Sequence, residues 1–389
     1  MKRAWAEAAR AEQVRAAARG WAHAKAIDTG TLSAIEAAYP ETRMTLHPAW
    51  RVLIFLLGSV TVGALFAGIF HSTGAFEDFR WPAAVSAAAL IVATEILRGS
   101  RLSGTGADAA TSFQALVFLL IAVALFLTVG SESSLTLLIA IACAAAGLAA
   151  WRWGFWFYAL AAAVSAFVLV GRMPWARPAW MVLAVMLLVL IYPRLDRASI
   201  APPHRRSLAA IFVVSAAALY TVVNLYAYDR WFIEMIRVPG LRGIAEVPLP
   251  TPLRAAAALA TAAFPVFFLA WGLRSRRRLL IAIGLVSAVL TAATFRHYVP
   301  IGPRWAWLTA CGVVLIASAL WAHRRLRDAA GGTWRGLTAS PLYSADDAGI
   351  SPLGALGAHI AGPAAPEPER PGFTGGGGEF GGGGASGQY

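Results

Sequence analysis

Residues 49–70 read AWRVLIFLLGSVTVGALFAGIF, and between Arg51 and His71 nineteen consecutive residues carry no charge. At about 1.5 Å per helical residue, such a run covers a bilayer's hydrocarbon core of roughly 30 Å. One helix of this kind fits at the centre of a large soluble domain, but the pattern recurs along most of the chain. Hydrophobic residues make up 58% of the 389 positions and charged residues 14%, against about half and about a quarter in soluble domains. The chain therefore reads as an all-α, polytopic transmembrane helix bundle, with the lipid bilayer as its surroundings.

Working outward from that first span, apolar runs bounded by Arg, Pro or Trp predict ten spans, at roughly 52–70, 82–97, 113–130, 134–151, 154–171, 178–192, 208–227, 253–273, 279–295 and 304–322. Three regions follow: a short helical module over 1–48, the bundle over 49–323, and a Pro/Gly-rich tail over 324–389. With the N-terminus in the cytoplasm, fourteen arginines fall at the inner ends of the spans and nine at the outer ends. The clusters RSRRR (274–278) and HRRLR (323–327) lie on the inner side. This positive-inside bias places both termini in the cytoplasm. It also accounts for the formal charge of +13 without nucleic acid as a partner. The weakest joint is AAWRWGFW (149–156), where Arg152 alone separates two spans.

Residues 1–26 scatter charges through an Ala-rich helix and contain no apolar core of a cleavable signal, so the first span is expected to direct insertion. Ser33 and Glu36 have capping-box spacing at the start of a second short helix that ends before Pro40. YDRWFIEMIRVPGLRG (228–243) is expected to lie along the outer interface. The hairpins 154–192 and 279–322 both carry VSA, an Arg, a Pro and a closing Trp. They are read as a same-direction repeat.

Polar groups inside spans are the candidate functional residues, because desolvating them costs energy that something must offset. Glu95 lies near the inner end of the second span with Arg98 one turn later, a pair the spacing permits. Gln114 opens the third span, and Tyr220 and Asn224 lie one turn apart in the seventh. No His/Cys spacing supports a metal, and Cys143 and Cys311 read as small core residues. No phosphate loop, nucleophile elbow or paired-Asp motif occurs, so neither a cofactor nor an enzymatic reaction is expected.

The order of AARGWAHAKAIDTGTLSAIEAAYP (17–40) followed by the 49–70 span resembles a bacterial family of multi-pass membrane proteins of unknown function. That resemblance implies an architecture and no site residues. The C-terminal FTGGGGEFGGGGASGQY (373–389) is similar to the ends of TPM-domain membrane proteins. Its composition predicts disorder, and Phe373, Phe380 and Tyr389 are the anchors by which it would hold a cytoplasmic or membrane protein partner. The leading expectation is a non-enzymatic component of a complex in the bacterial inner membrane. A transporter or flippase-like permeation protein comes second, and a membrane enzyme acting on a lipid-linked substrate third.

Overall fold

The structure, a computed structural model, describes residues 3–298 apart from 24–25, 42–45, 47, 75–77, 128–130, 174, 196, 198 and 228–250. Beyond 298 it describes scattered positions between 309 and 338. The chain divides into a unit over Met1–Leu308 and a second over Thr309–Tyr389. In the second unit, β1 (Thr333–Trp334) and β2 (Leu337–Thr338) pair antiparallel. This two-residue ladder does not alter the helical class.

In the first unit, α1 (Arg3–His23) and α2 (Thr29–Ala38) precede α3 (Pro48–Ser72), α4 (Arg80–Gly99), α5 (Ala107–Phe126), α6 (Glu132–Trp153) and α7 (Trp156–Gly171). Next come α8 (Ala176–Ile191), α9 (Pro202–Val223), α10 (Thr251–Ser275) and α11 (Arg278–Tyr298). Eight of these helices are long and apolar enough to cross a membrane, α8 with the 3-10 turn Tyr192–Arg194 that continues it, and α7, with 16 residues, is shorter. The first nine expected spans thus correspond to helices α3–α11. The tenth, at 304–322, lies for the most part outside the described residues, as do the 228–243 loop and the tail. Comparison of the two hairpins also falls outside, because the second one returns through 304–322.

Burial is distributed as a bilayer requires. Ala83, Ala87, Ala110, Ala163, Ala184 and Ala216 are buried where helices cross, while Val60, Leu259 and Val289 are about two-thirds exposed or more, at 70%, 72% and 69%. Hydrocarbon covers large side chains at no cost, so helix contacts are left to small residues that allow close approach. In water so extensive an exposed apolar surface would associate. Helices α10 and α11 approach closely at two glycines: a Cβ on Gly272 would lie 2.7 Å from Ile281 N, and one on Gly284 would lie 2.8 Å from Leu269 N.

The joint at 149–156 is a true corner. Gly154 takes a left-handed φ of 75°, its N–H closes on Ala150 O, and α6 folds back on α7 as a hairpin. The chain therefore reverses direction at this point, and the arginines at 98, 101, 152, 194, 197, 205, 206, 274, 276, 277 and 278 share one end of the bundle. α1 docks at that same end, through Arg10 to Ser199 O at 3.0 Å, Arg205 to Gln13 Oε1 at 2.9 Å, and Arg51 to Glu12 at 3.7 Å.

The second helix of the module starts earlier than its Ser33/Glu36 spacing suggests. Asp28 is the N-cap of α2 and accepts from Thr31 N at 2.9 Å; the Thr31 hydroxyl first, and then this N–H, hold its carboxyl below the usual range. Ser33 donates instead to Gly30 O, and Glu36 pairs with Arg19 at 2.7 Å. An acid directly before a Thr-Gly-Thr run is the better cap because its oxygen reaches the first free N–H groups.

Candidate functional site

Tyr220 and Asn224 belong to one buried network joining α9, α10 and α11. Helix α9 ends at Asn224, whose ψ of 129° is extended, and helical residues resume immediately beyond it. Asn224 caps both sides of this break. Its own N–H closes α9 on Tyr220 O at 2.8 Å, and its Oδ1 accepts from Tyr226 N at 3.0 Å and Ala227 N at 3.1 Å. Its Nδ2 donates to Tyr220 Oη and to Thr294 Oγ1, both at 2.9 Å.

A second break supplies the other end of the network. Pro265 stands inside α10 and has no N–H, so the carbonyl of Thr261, four residues earlier, loses its helical donor. Thr291 of α11 donates to that carbonyl at 3.1 Å. A hydroxyl has one proton, so the 3.0 Å contact between Tyr220 Oη and Thr291 Oγ1 is donated by Tyr220. The chain of donors therefore runs Asn224, Tyr220, Thr291, Thr261 carbonyl. The Thr261 hydroxyl donates to Ala257 O at 2.7 Å and accepts from Leu225 N at 2.9 Å, an N–H that the α9 break removes from the helical ladder. Tyr298 donates to Leu225 O at 3.3 Å, and Tyr226 meets His297 edge-to-face at 4.8 Å.

Interrupted helices persist at membrane depth only where protein groups satisfy the freed backbone. Here two interruptions are satisfied by each other's neighbours. Interhelical hydrogen bonds in bilayers are worth about 0.6 kcal/mol each on average, so the gain lies in the number of groups closed together.

Gln114 lies elsewhere. Its Nε2 donates to Ser59 O at 2.8 Å, tying α5 to α3 where that carbonyl faces the neighbouring helix. Glu95 is at the opposite end of the bundle from Asn224 and takes a two-point grip from Arg152, Nε to Oε1 at 2.9 Å and Nη2 to Oε2 at 2.8 Å, plus Trp153 Nε1 at 2.9 Å. The carboxylate that pairs with Arg98 is Asp108, at 3.5 Å, and both of these residues are buried. Arg98 also lies over Phe155 at 4.3 Å and Trp5 at 5.4 Å, and Arg152 lies 5.7 Å from the same Trp5 ring. Asp108, in the first turn of α5, is favoured as a carboxylate by the positive end of that helix, and its charge holds Arg98 inward. The spacing-based pairing of Glu95 with Arg98 thus gives way to two tertiary pairs.

Four residues of these sites are silent in a reading by spans. Thr261, Thr291 and Thr294 look like ordinary helix hydroxyls, and Asp108 sits in a GTGAD stretch that reads as loop. One signal was present: a Pro four residues after a Thr marks a carbonyl in need of a donor. Among the described residues, no cluster of His, Cys, Asp or Glu is arranged to hold a metal ion.

No protein-family model, curated protein or solved structure matches the chain.

Proposed function

We propose that the chain is a non-enzymatic scaffold component of a membrane complex, in the bacterial inner membrane with both termini in the cytoplasm. One observation carries the reading: Gln114, Tyr220, Asn224 and Glu95 are each hydrogen-bonded to a neighbouring helix, so these groups are used to hold the bundle together. A permeation path would bring Tyr220, Asn224 and Gln114 to one cavity. Gln114 instead belongs to the α3–α5 contact, and the cleft beside α9 is lined by Leu219 and Val223 and by neither Tyr220 nor Asn224. The arginine-rich end supports the cytoplasmic assignment of the termini, and exposed Trp21 and Tyr39 on the N-terminal module supply surface for a partner.

The tail is the second point of attachment, with Phe373, Phe380 and Tyr389 as anchors on a glycine leash. The experiment is quantitative co-purification from native membranes of the full chain and of a chain cut after Pro371. The expected result is loss of a stable partner from the shortened chain, with equal insertion of both. Identical partners in identical amounts would remove the tail from the scaffold role.

A further inference from the structure

A cleft of about 660 Å³ lies between α8, α9 and α10. Its wall is almost wholly apolar, and along α10 it extends from Ala260 to Trp271. The rise from the first to the last of these positions is about 16 Å at 1.5 Å per residue, close to one leaflet's half of a hydrocarbon core of roughly 30 Å. At the arginine-rich end the cleft finishes on Tyr192 and Trp271, whose rings lie 4.4 Å apart with Trp271 Nε1 donating to Tyr192 Oη at 3.0 Å. Aromatic groups with a polar edge belong at this depth, where the bilayer turns polar.

The charges begin directly beyond. Arg277 lies over the Tyr192 ring at 3.9 Å and donates to Tyr192 O at 3.1 Å. Arg194 is two residues past Tyr192. Arg274 is one turn past Trp271, on the stripe of α10 that lines the cleft, and both Arg194 and Arg274 are exposed. Among the described residues no carboxylate pairs with Arg194 or Arg274.

We infer that this cleft is a binding site for a phospholipid with an anionic head group, one acyl chain lying along α10 and the phosphate held by Arg194 and Arg274. Leaflet-length apolar walls, an aromatic collar and cations with no acidic partner at the mouth match such a molecule in order along the membrane normal. The site stands apart from the scaffold reading and does not depend on it.

The test uses the full chain in nanodiscs of phosphatidylcholine with or without phosphatidylglycerol, and native mass spectrometry reads the lipid retained after mild detergent release. Preferential retention of phosphatidylglycerol is expected. Arg194→Gln with Arg274→Gln should lower that preference by about thirtyfold, at roughly 1 kcal/mol per arginine near the surface, reducing phosphatidylglycerol retention more than phosphatidylcholine retention. Ala263→Trp, at an exposed position lining the cleft, should expel both lipids, and it keeps the test decisive if the arginine variant fails to fold. Glycerol phosphate should not compete. Equal retention of the two lipids by the native chain overturns the site. Unchanged retention in the Ala263 variant, as when another segment fills the cleft, does the same, and full competition by glycerol phosphate would reassign it to a free phosphate.

Discussion

Asp108→Ala is expected to destabilise the bundle by about 3 kcal/mol, the lower end of what breaking a buried ion pair costs. Asp108 is fully buried and Arg98 nearly so, at 0% and 7% exposure. Asp108 Oδ2 accepts from Gly104 N at 3.1 Å as well as facing Arg98, so its loss frees a backbone donor in the 100–106 connection along with the guanidinium. The rings of Phe155 and Trp5 continue to face Arg98, which keeps the effect from the upper end. The check is the unfolding midpoint on titration with sodium dodecyl sulfate. Replacing both partners, Arg98→Met with Asp108→Leu, should recover most of the loss, since no uncompensated charge then remains. A double variant as unstable as Asp108→Ala would mean that the two residues act separately.

Gly106→Ala should be the most damaging single methyl addition in the 100–106 connection. Gly106 precedes α5 with a φ of 104°, and a Cβ there would stand 2.3 Å from Arg51 O and 3.2 Å from Phe55 N. Both neighbours are backbone atoms of α3, so relief requires moving a helix. Strain in this region costs about 1–3 kcal/mol, and overpacking adds about 1–3 kcal/mol. Gly104 provides the internal comparison, with a φ of 84° and open space where its Cβ would lie. Gly104→Ala should therefore show the conformational cost alone. The same detergent titration measures both. Equal losses at the two positions would show that the approach of α3 to the connection carries no stability.

The membrane class and nine helix positions were legible in the sequence because a span is a local property: an apolar run of fixed length between charges or prolines. Helix pairing was less so. Glu95 and Arg152 are 57 residues apart, and no spacing rule joins them. Arg98 was assigned to Glu95 by helical geometry, yet a buried acid with a helix N-terminus behind it outcompetes an interfacial neighbour. Tyr220 and Asn224 were visible as polar groups in an apolar run. Their partners were not, because a threonine bonded to its own helix, as Thr294 is to Leu290 O, looks the same in sequence whether or not a second helix also uses it. The Ser33 cap misled for a different reason: Asp28, earlier in the chain, offered the same chemistry.

The claim that intramembrane polar groups tie helices together, and do not line a path for solute, is tested most directly by accessibility in intact membranes. With Cys143→Ala and Cys311→Ala as background, Thr261→Cys and Thr291→Cys would each be exposed to a membrane-impermeant thiol reagent. Ser131→Cys, at an exposed helix cap, serves as the reactive control. Thr261 and Thr291 are buried among α9, α10 and α11, so the expected result is no modification at either while the control reacts fully. Modification of either thiol at a rate near that of the control would place water at the centre of the network and contradict the structural role.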